Sequence, residues 1–189
     1  LKNQISRTQA DITLRVKLIA ILAILAAASV VLGKFLQIPI GDSIRISFEN
    51  LPILFAGIVF GPLSGGAVGL VSDLVGCLAV GYQINPVITL GAVSVGFVSG
   101  VLARVFIHNG KCSFPRVLLS VLLAHIFGSI LLKSTGLRLW YTTPWSVLAL
   151  RIPIYLINSV AEASIITVLL KSGAVKNALK GFFGGSRKV

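Results

Sequence analysis

The chain has 189 residues, 56% of them hydrophobic and 12% charged, and a mean hydropathy of +0.97 excludes an ordinary water-soluble domain. Its formal net charge of +12 comes from bases scattered between apolar runs, without interleaved aromatics or a binding module, which excludes nucleic acid as a partner. Cys77 and Cys112 stand singly, without the paired spacing of zinc, redox or haem sites, and read as packing residues.

These numbers call for an all-α integral membrane protein in the lipid bilayer. At ~20 apolar residues per span, the chain supplies about six transmembrane helices. The first covers about Val16 to Leu36; it is longer than a signal-peptide core, lacks a convincing cleavage site, and reads as a retained helix. Its "AILAILAAAS" sets Ala23 and Ala27 on one face, a spacing that lets another helix approach closely. After the polar loop "QIPIGDSIRIS" comes a short second span, about Phe48 to Phe60, interrupted early by Pro52 and stopped by "GPLSG". The third runs from about Leu63 to Val80, and the fourth from Pro86, a good first-turn proline, to about Ile107. A basic loop, "HNGKCSFPR", leads to the fifth, about Val117 to Leu132. The longest outer loop, "KSTGLRLWYTTP", precedes the sixth, about Trp145 to Leu170. Residues 1–171 thus form a single six-helix transmembrane domain, and 172–189 a basic cytoplasmic tail.

An even number of spans puts both terminal clusters of Lys and Arg on one side with Arg104, Lys111 and Arg116. By the positive-inside rule, both termini are cytoplasmic. Lys34, Arg45, Lys133, Arg138 and Arg151 fall on the other side, and there the acids gather as well: Asp42, Glu49, Asp73 and Glu162 lie in outer loops or within spans. Tyr82, Gln83, Asn85, Trp140, Tyr141, Trp145, Tyr155 and Asn158 map to the same outer half. Trp140, Tyr141 and Trp145 read either as an interfacial aromatic belt or as part of a lid.

Gly57, Gly61, Gly65 and Gly69 recur every fourth position, and Pro62 divides them into two short stripes meeting at a turn. Continued by four, the second stripe reaches Asp73, which places a carboxylate on a close-packed face. An aspartate at a helix centre in lipid costs ~2.5 to 3.5 kcal/mol on insertion scales, so it is a functional candidate by default. Three readings are open: a structural salt bridge to an outer base such as Arg151, proton carriage, or a ligand contact. Catalysis fits poorly. His108 and His125 have no evident nucleophile beside them, and no metal-ligand cluster, "HExxH" or nucleotide-binding "GxxxxGK[ST]" occurs. His125 reads as a bundle residue bonded to a neighbour. For Glu162 the candidates are an interhelical hydrogen bond or a partner contact.

The segment "FENLPILFAGIVFGPLSGGAVG" resembles the second and third helices of the substrate-binding S components of energy-coupling factor (ECF) vitamin transporters, and the Ala23/Ala27 pair and six-span size agree. "IRISFENLPI", "SDLVG" and "RIPIYLIN" look most like the folate-specific members. The resemblance implies vitamin capture in the outer half without catalysis or cofactor, in a bacterial cell membrane. It also implies docking through Ala23 and Ala27 on a transmembrane coupling protein driven by two ATP-binding subunits.

For folate, the resemblance makes Asp73 the first choice, and Glu49 the second, to accept the adjacent N–H and amino group of the pterin ring. Asn85 and Asn158 would serve the rest of its edge. Arg45, Lys133 and Arg151 are candidates for the carboxylates of the glutamate tail, with lipid headgroups as the alternative for some outer bases. Phe48, Tyr82, Trp140, Trp145 and Tyr155 are candidate aromatic walls. Riboflavin, thiamine or pantothenate remain alternative ligands, and a small membrane enzyme or self-sufficient carrier the alternative class.

Overall fold

A computed structural model describes residues 2–40, 44–107, 112–173 and 175–178. Helix α1 (Lys2–Val30) continues into a π-helical turn, Val31–Phe35. A small antiparallel hairpin follows, β1 (Ile38–Ile40) and β2 (Ile44–Ile46), with Pro39 opposite Arg45. Then come α2 (Asn50–Phe60), α3 (Pro62–Val80) and α4 (Pro86–Phe106). The fifth rod is continuous: α5 (Phe114–Ala124), a π-helical stretch His125–Leu132, and α6 (Lys133–Tyr141). The last is α7 (Trp145–Lys171).

Five of these rods are long and apolar enough to cross a membrane, whereas α2, with 11 residues, is a shorter apolar helix. At 1.5 Å per residue α2 reaches only about half of the ~30 Å hydrocarbon core. The outward faces carry large apolar side chains such as Ile24, Leu63, Leu78 and Val168, as expected where lipid is the solvent.

Helix α4 lies at the centre, against α2, α3, α5, α6 and the second π-helical stretch. Lipid supplies little hydrophobic drive between helices, so close contact of backbones has to hold them. The glycine stripes provide it. A methyl group on Gly65 would collide with the carbonyl of Gly96, one on Gly69 with the carbonyl of Ala92, and one on Gly57 with both Gly96 and Ser99. The turn between α2 and α3 is Gly61, at φ +98°, whose N–H bonds the carbonyl of Gly57 at 3.0 Å. On the opposite side of α4, Gly91 and Gly128 bring the π-helical stretch equally near.

Helices stand where the six spans were expected, five of them long enough to cross a membrane, with three further differences. The "QIPIGDSIRIS" loop contains the hairpin, because alternating Ile residues on either side of the sequence Gly-Asp-Ser favour strand pairing. The fifth helix runs nine residues further than expected, through Lys133–Tyr141. Most of the expected outer loop is therefore helical, and only 142–144 connects α6 to α7. Its Lys, Leu, Arg and Leu residues are good helix formers, and the preceding helix supplies the nucleus. Finally, α1 begins at Lys2, well before the apolar run.

The glycine contact predicts a contrast between neighbouring residues. Gly96→Ala should destabilise the protein by roughly 1 to 3 kcal/mol in denaturant titrations in detergent, since its methyl meets backbone. Gly66→Ala should be tolerated, because its methyl would meet Val93 and Phe97 at 3.5 Å or more.

Candidate functional site

The ladder that packs α3 on α4 ends in polar chemistry. One turn beyond Gly69, Asp73 is 5% exposed and its Oδ2 accepts a hydrogen bond from the Thr89 hydroxyl at 2.6 Å. Among the described residues its Oδ1 takes no hydrogen bond. Asp73 borders a cavity of about 500 Å³ with Lys34, Cys77, Tyr82, Asn85 and Tyr141. A second cavity, of about 370 Å³, is lined by Ser47, Tyr141, Leu148, Arg151, Tyr155 and Asn158, among others. Leu137 and Tyr141 belong to both, so the end of α6 separates two adjoining chambers.

Glu49, just ahead of α2, ties the walls together. Its Oε1 lies 3.1 Å from Lys133 Nζ and its Oε2 4.0 Å from Lys34 Nζ. Its backbone carbonyl accepts from the Ser29 hydroxyl at 2.7 Å. Glycines make room for each member: Gly33 lies against the Glu49 side chain, Gly76 under the Lys34 stem and Gly91 under that of Lys133. The Lys133 ammonium holds the Glu49 carboxyl below its ordinary value of 4.5 against the opposing effect of burial, with Lys34 and Arg151 adding to it. One carboxylate thus faces two lysines, leaving this end of the protein with excess positive charge.

Both π-helical turns border this region, the first delivering Lys34 and the second His125 and Ser129. Such turns recur at functional sites because the wider turn re-aims side chains. Arg151 donates from Nη2 to the Ser129 carbonyl at 3.1 Å and to the Tyr155 hydroxyl at 3.2 Å. It does not pair with Asp73. The Asn158 amide donates to the Ser47 carbonyl at 3.3 Å, and among the described residues its oxygen takes no hydrogen bond.

The structure sorts the remaining expected site residues. Asn85 borders the first chamber, but its oxygen caps α4 by accepting from Val87 and Ile88 N–H, and its amide donates to the Gly136 carbonyl at 3.3 Å. Lys133 and Glu49 pair with one another, and neither lines a chamber. Tyr82 and Tyr155 line chambers, whereas Phe48 and Trp140 line neither. Trp145, 69% exposed, borders a separate apolar groove and stacks with Arg138 at 5.6 Å. The belt reading suits these two tryptophans better than the lid. The side chain of Arg45, like Asp42 and His108, lies outside the described residues. Ala23 and Ala27 are exposed on α1, and Ala23 edges an apolar groove toward Ala67 and Val71 of α3.

Thr89 and Tyr141 were not among the expected ligand contacts. Thr89 was legible as the residue one turn after the Asn85 cap. Tyr141 became a chamber wall only because α6 is helical.

Comparison with known proteins now adds to this geometry. Residues 13–175 match the family described as the ECF-type riboflavin transporter, S component. The folate transporter FolT of Clostridium novyi (strain NT) is 33% identical over 128 residues, 66% of this chain and 70% of that protein. A crystal structure of FolT bound with folic acid superposes with a TM-score of 0.60 at 28% identity, covering 87% of this chain and 95% of that one. ThiT from Listeria monocytogenes shares the fold, with a TM-score of 0.65 at 21% identity over 85% of this chain and 96% of that one.

Glu49→Gln should cost roughly 3 kcal/mol at pH 7 by stranding the buried Lys133. Because the Glu49 carboxyl is depressed in the folded state, the pair's contribution is present above 4.5 and lost as pH falls through the lower, folded-state value. Unfolding of wild type and variant should therefore differ at pH 7 and converge in strong acid. An equal gap at both would assign the effect to packing.

Proposed function

The chain belongs to the ECF-type transporter S-component family, multi-pass membrane proteins that bind substrate for a transporter and are not enzymes, and within that family we propose that it captures folate. The observation that carries this reading is the half-bonded carboxylate of Asp73 in a chamber bordered by Lys34 and adjoining one bordered by Arg151.

A pterin presents a ring N–H and an amino group side by side, and a carboxylate accepts both. The isoalloxazine edge of riboflavin presents an N–H between two carbonyls, which a lone carboxylate matches poorly, and riboflavin lacks the carboxylates that the excess of cations would attract. In the arrangement we infer, the pterin lies at Asp73, with Oδ1 as the free acceptor and Thr89 holding Oδ2. Tyr82, Tyr141 and Tyr155 provide aromatic walls, and the remaining N–H of Asn85 and the oxygen of Asn158 serve polar edges. The glutamate tail is directed toward Arg151. The folate named with the similar FolT proteins supports this choice over riboflavin.

The same reading counts α2 as a sixth, short membrane element and places both termini in the cytoplasm of a bacterial cell, supported by the skew of bases toward that end. Residues 1–171 form the binding domain and 172–189 the basic tail. Release to the inside depends on a transmembrane coupling protein with two ATP-binding subunits, and the exposed Ala23 and Ala27 face of α1 is where the coupling protein docks.

Calorimetric titration of the detergent-solubilised protein should show stoichiometric binding of folate and none of riboflavin. Asp73→Asn should weaken folate by about tenfold to a hundredfold, the value of charge-assisted bonds of ~1.5 to 3 kcal/mol. Binding of riboflavin instead would overturn the assignment. Ala23→Leu with Ala27→Leu should leave that titration unchanged and abolish folate uptake by cells carrying the full transporter.

A further inference from the structure

Beneath the Arg151 chamber lies a buried pair that the binding chemistry above does not use. Glu162 of α7 is 0% exposed, and its Oε2 lies 2.6 Å from Nε2 of His125, at the start of the second π-helical stretch. Nδ1 of the same ring lies 3.1 Å from the Ser129 hydroxyl. Among the described residues, Oε1 of Glu162 has no hydrogen-bond partner. An acid so dry and only half satisfied is costly to keep for packing alone, where an apolar side chain would serve.

The pair is connected to the chamber. The His125 ring stacks at a tilt on Tyr155, with centroids 5.1 Å apart. Ser129 meets His125 with its hydroxyl and Arg151 with its carbonyl, and Arg151 in turn donates to the Tyr155 hydroxyl. Glu162, His125, Ser129, Arg151 and Tyr155 therefore form one connected frame of which only Arg151 and Tyr155 reach the chamber.

We propose that Glu162 and His125 are positioning residues that hold Tyr155 and Arg151 toward the anionic part of the ligand. The inference rests on the reading of the chambers as a folate site.

The test is titration of the full chain in detergent with folate and, by competition, with pteroate, which lacks the glutamate tail. Glu162→Gln should bind folate about tenfold more weakly with little change for pteroate, and Tyr155→Phe should add little to that loss. His125→Gln should show the same selective loss. No folate binding by the wild type would overturn both readings. Wild-type folate binding with unchanged affinity in Glu162→Gln and His125→Gln, or an equal loss for folate and pteroate, would overturn this one alone.

Discussion

The contact of α3 with α4, backbone against backbone along Gly65, Gly69, Gly96 and Ala92, is the constraint on which the rest depends. It brings the helices so near that the next residue on the face, Asp73, meets Thr89 directly. A larger residue at Gly69 would part the helices and leave the aspartate without its hydroxyl donor. Packing thereby sets the chemistry: the carboxylate is fixed through one oxygen, and the other is available. The same helix carries Gly91 on its other side, where the Lys133 stem crosses toward Glu49.

Electrostatics then fix the walls. Glu49 joins α1 and α6 at the entrance to α2, and each of its partners reaches it across a glycine. A charge cluster buried in this way stabilises only when all its members are present, because stranding one leaves an uncompensated ion. It also leaves a surplus lysine beside the first chamber and Arg151 beside the second. We read one accepting carboxylate with surplus cations as suited to a ligand whose ends differ: hydrogen-bond donors at one and negative charge at the other.

Much of this was legible in the sequence. The glycine period of four, extended to Asp73, located the acid on its packed face before any coordinates, since helix geometry alone determines which residues share a face. Pro62 marked a break between helices and Pro86 a helix start; His125 is bonded to a neighbour as read, and that neighbour is Glu162, which takes the first of its two readings, an interhelical hydrogen bond. What could not be read was which base meets which acid. Lys133 lies 84 positions from Glu49, and nothing local distinguishes it from Arg151, which bonds Tyr155 and a carbonyl instead. Which aromatic residues line the chambers was hidden for a related reason: tryptophan suits both a pocket and a lipid interface, and only the helical course of α6 puts Trp140 outside the chambers. Asn85 was likewise ambiguous, because an asparagine ahead of Pro86 is as well suited to capping as to binding.

The most direct test of the account is a structure of the protein with folate bound. The account predicts a single ligand spanning both chambers past Tyr141 and Leu137, its pterin donors on Oδ1 of Asp73 and its glutamate tail toward Arg151, with the Glu49–Lys133 pair intact. A ligand whose ring makes no contact with Asp73, or one seated in the Trp145 groove, would contradict it.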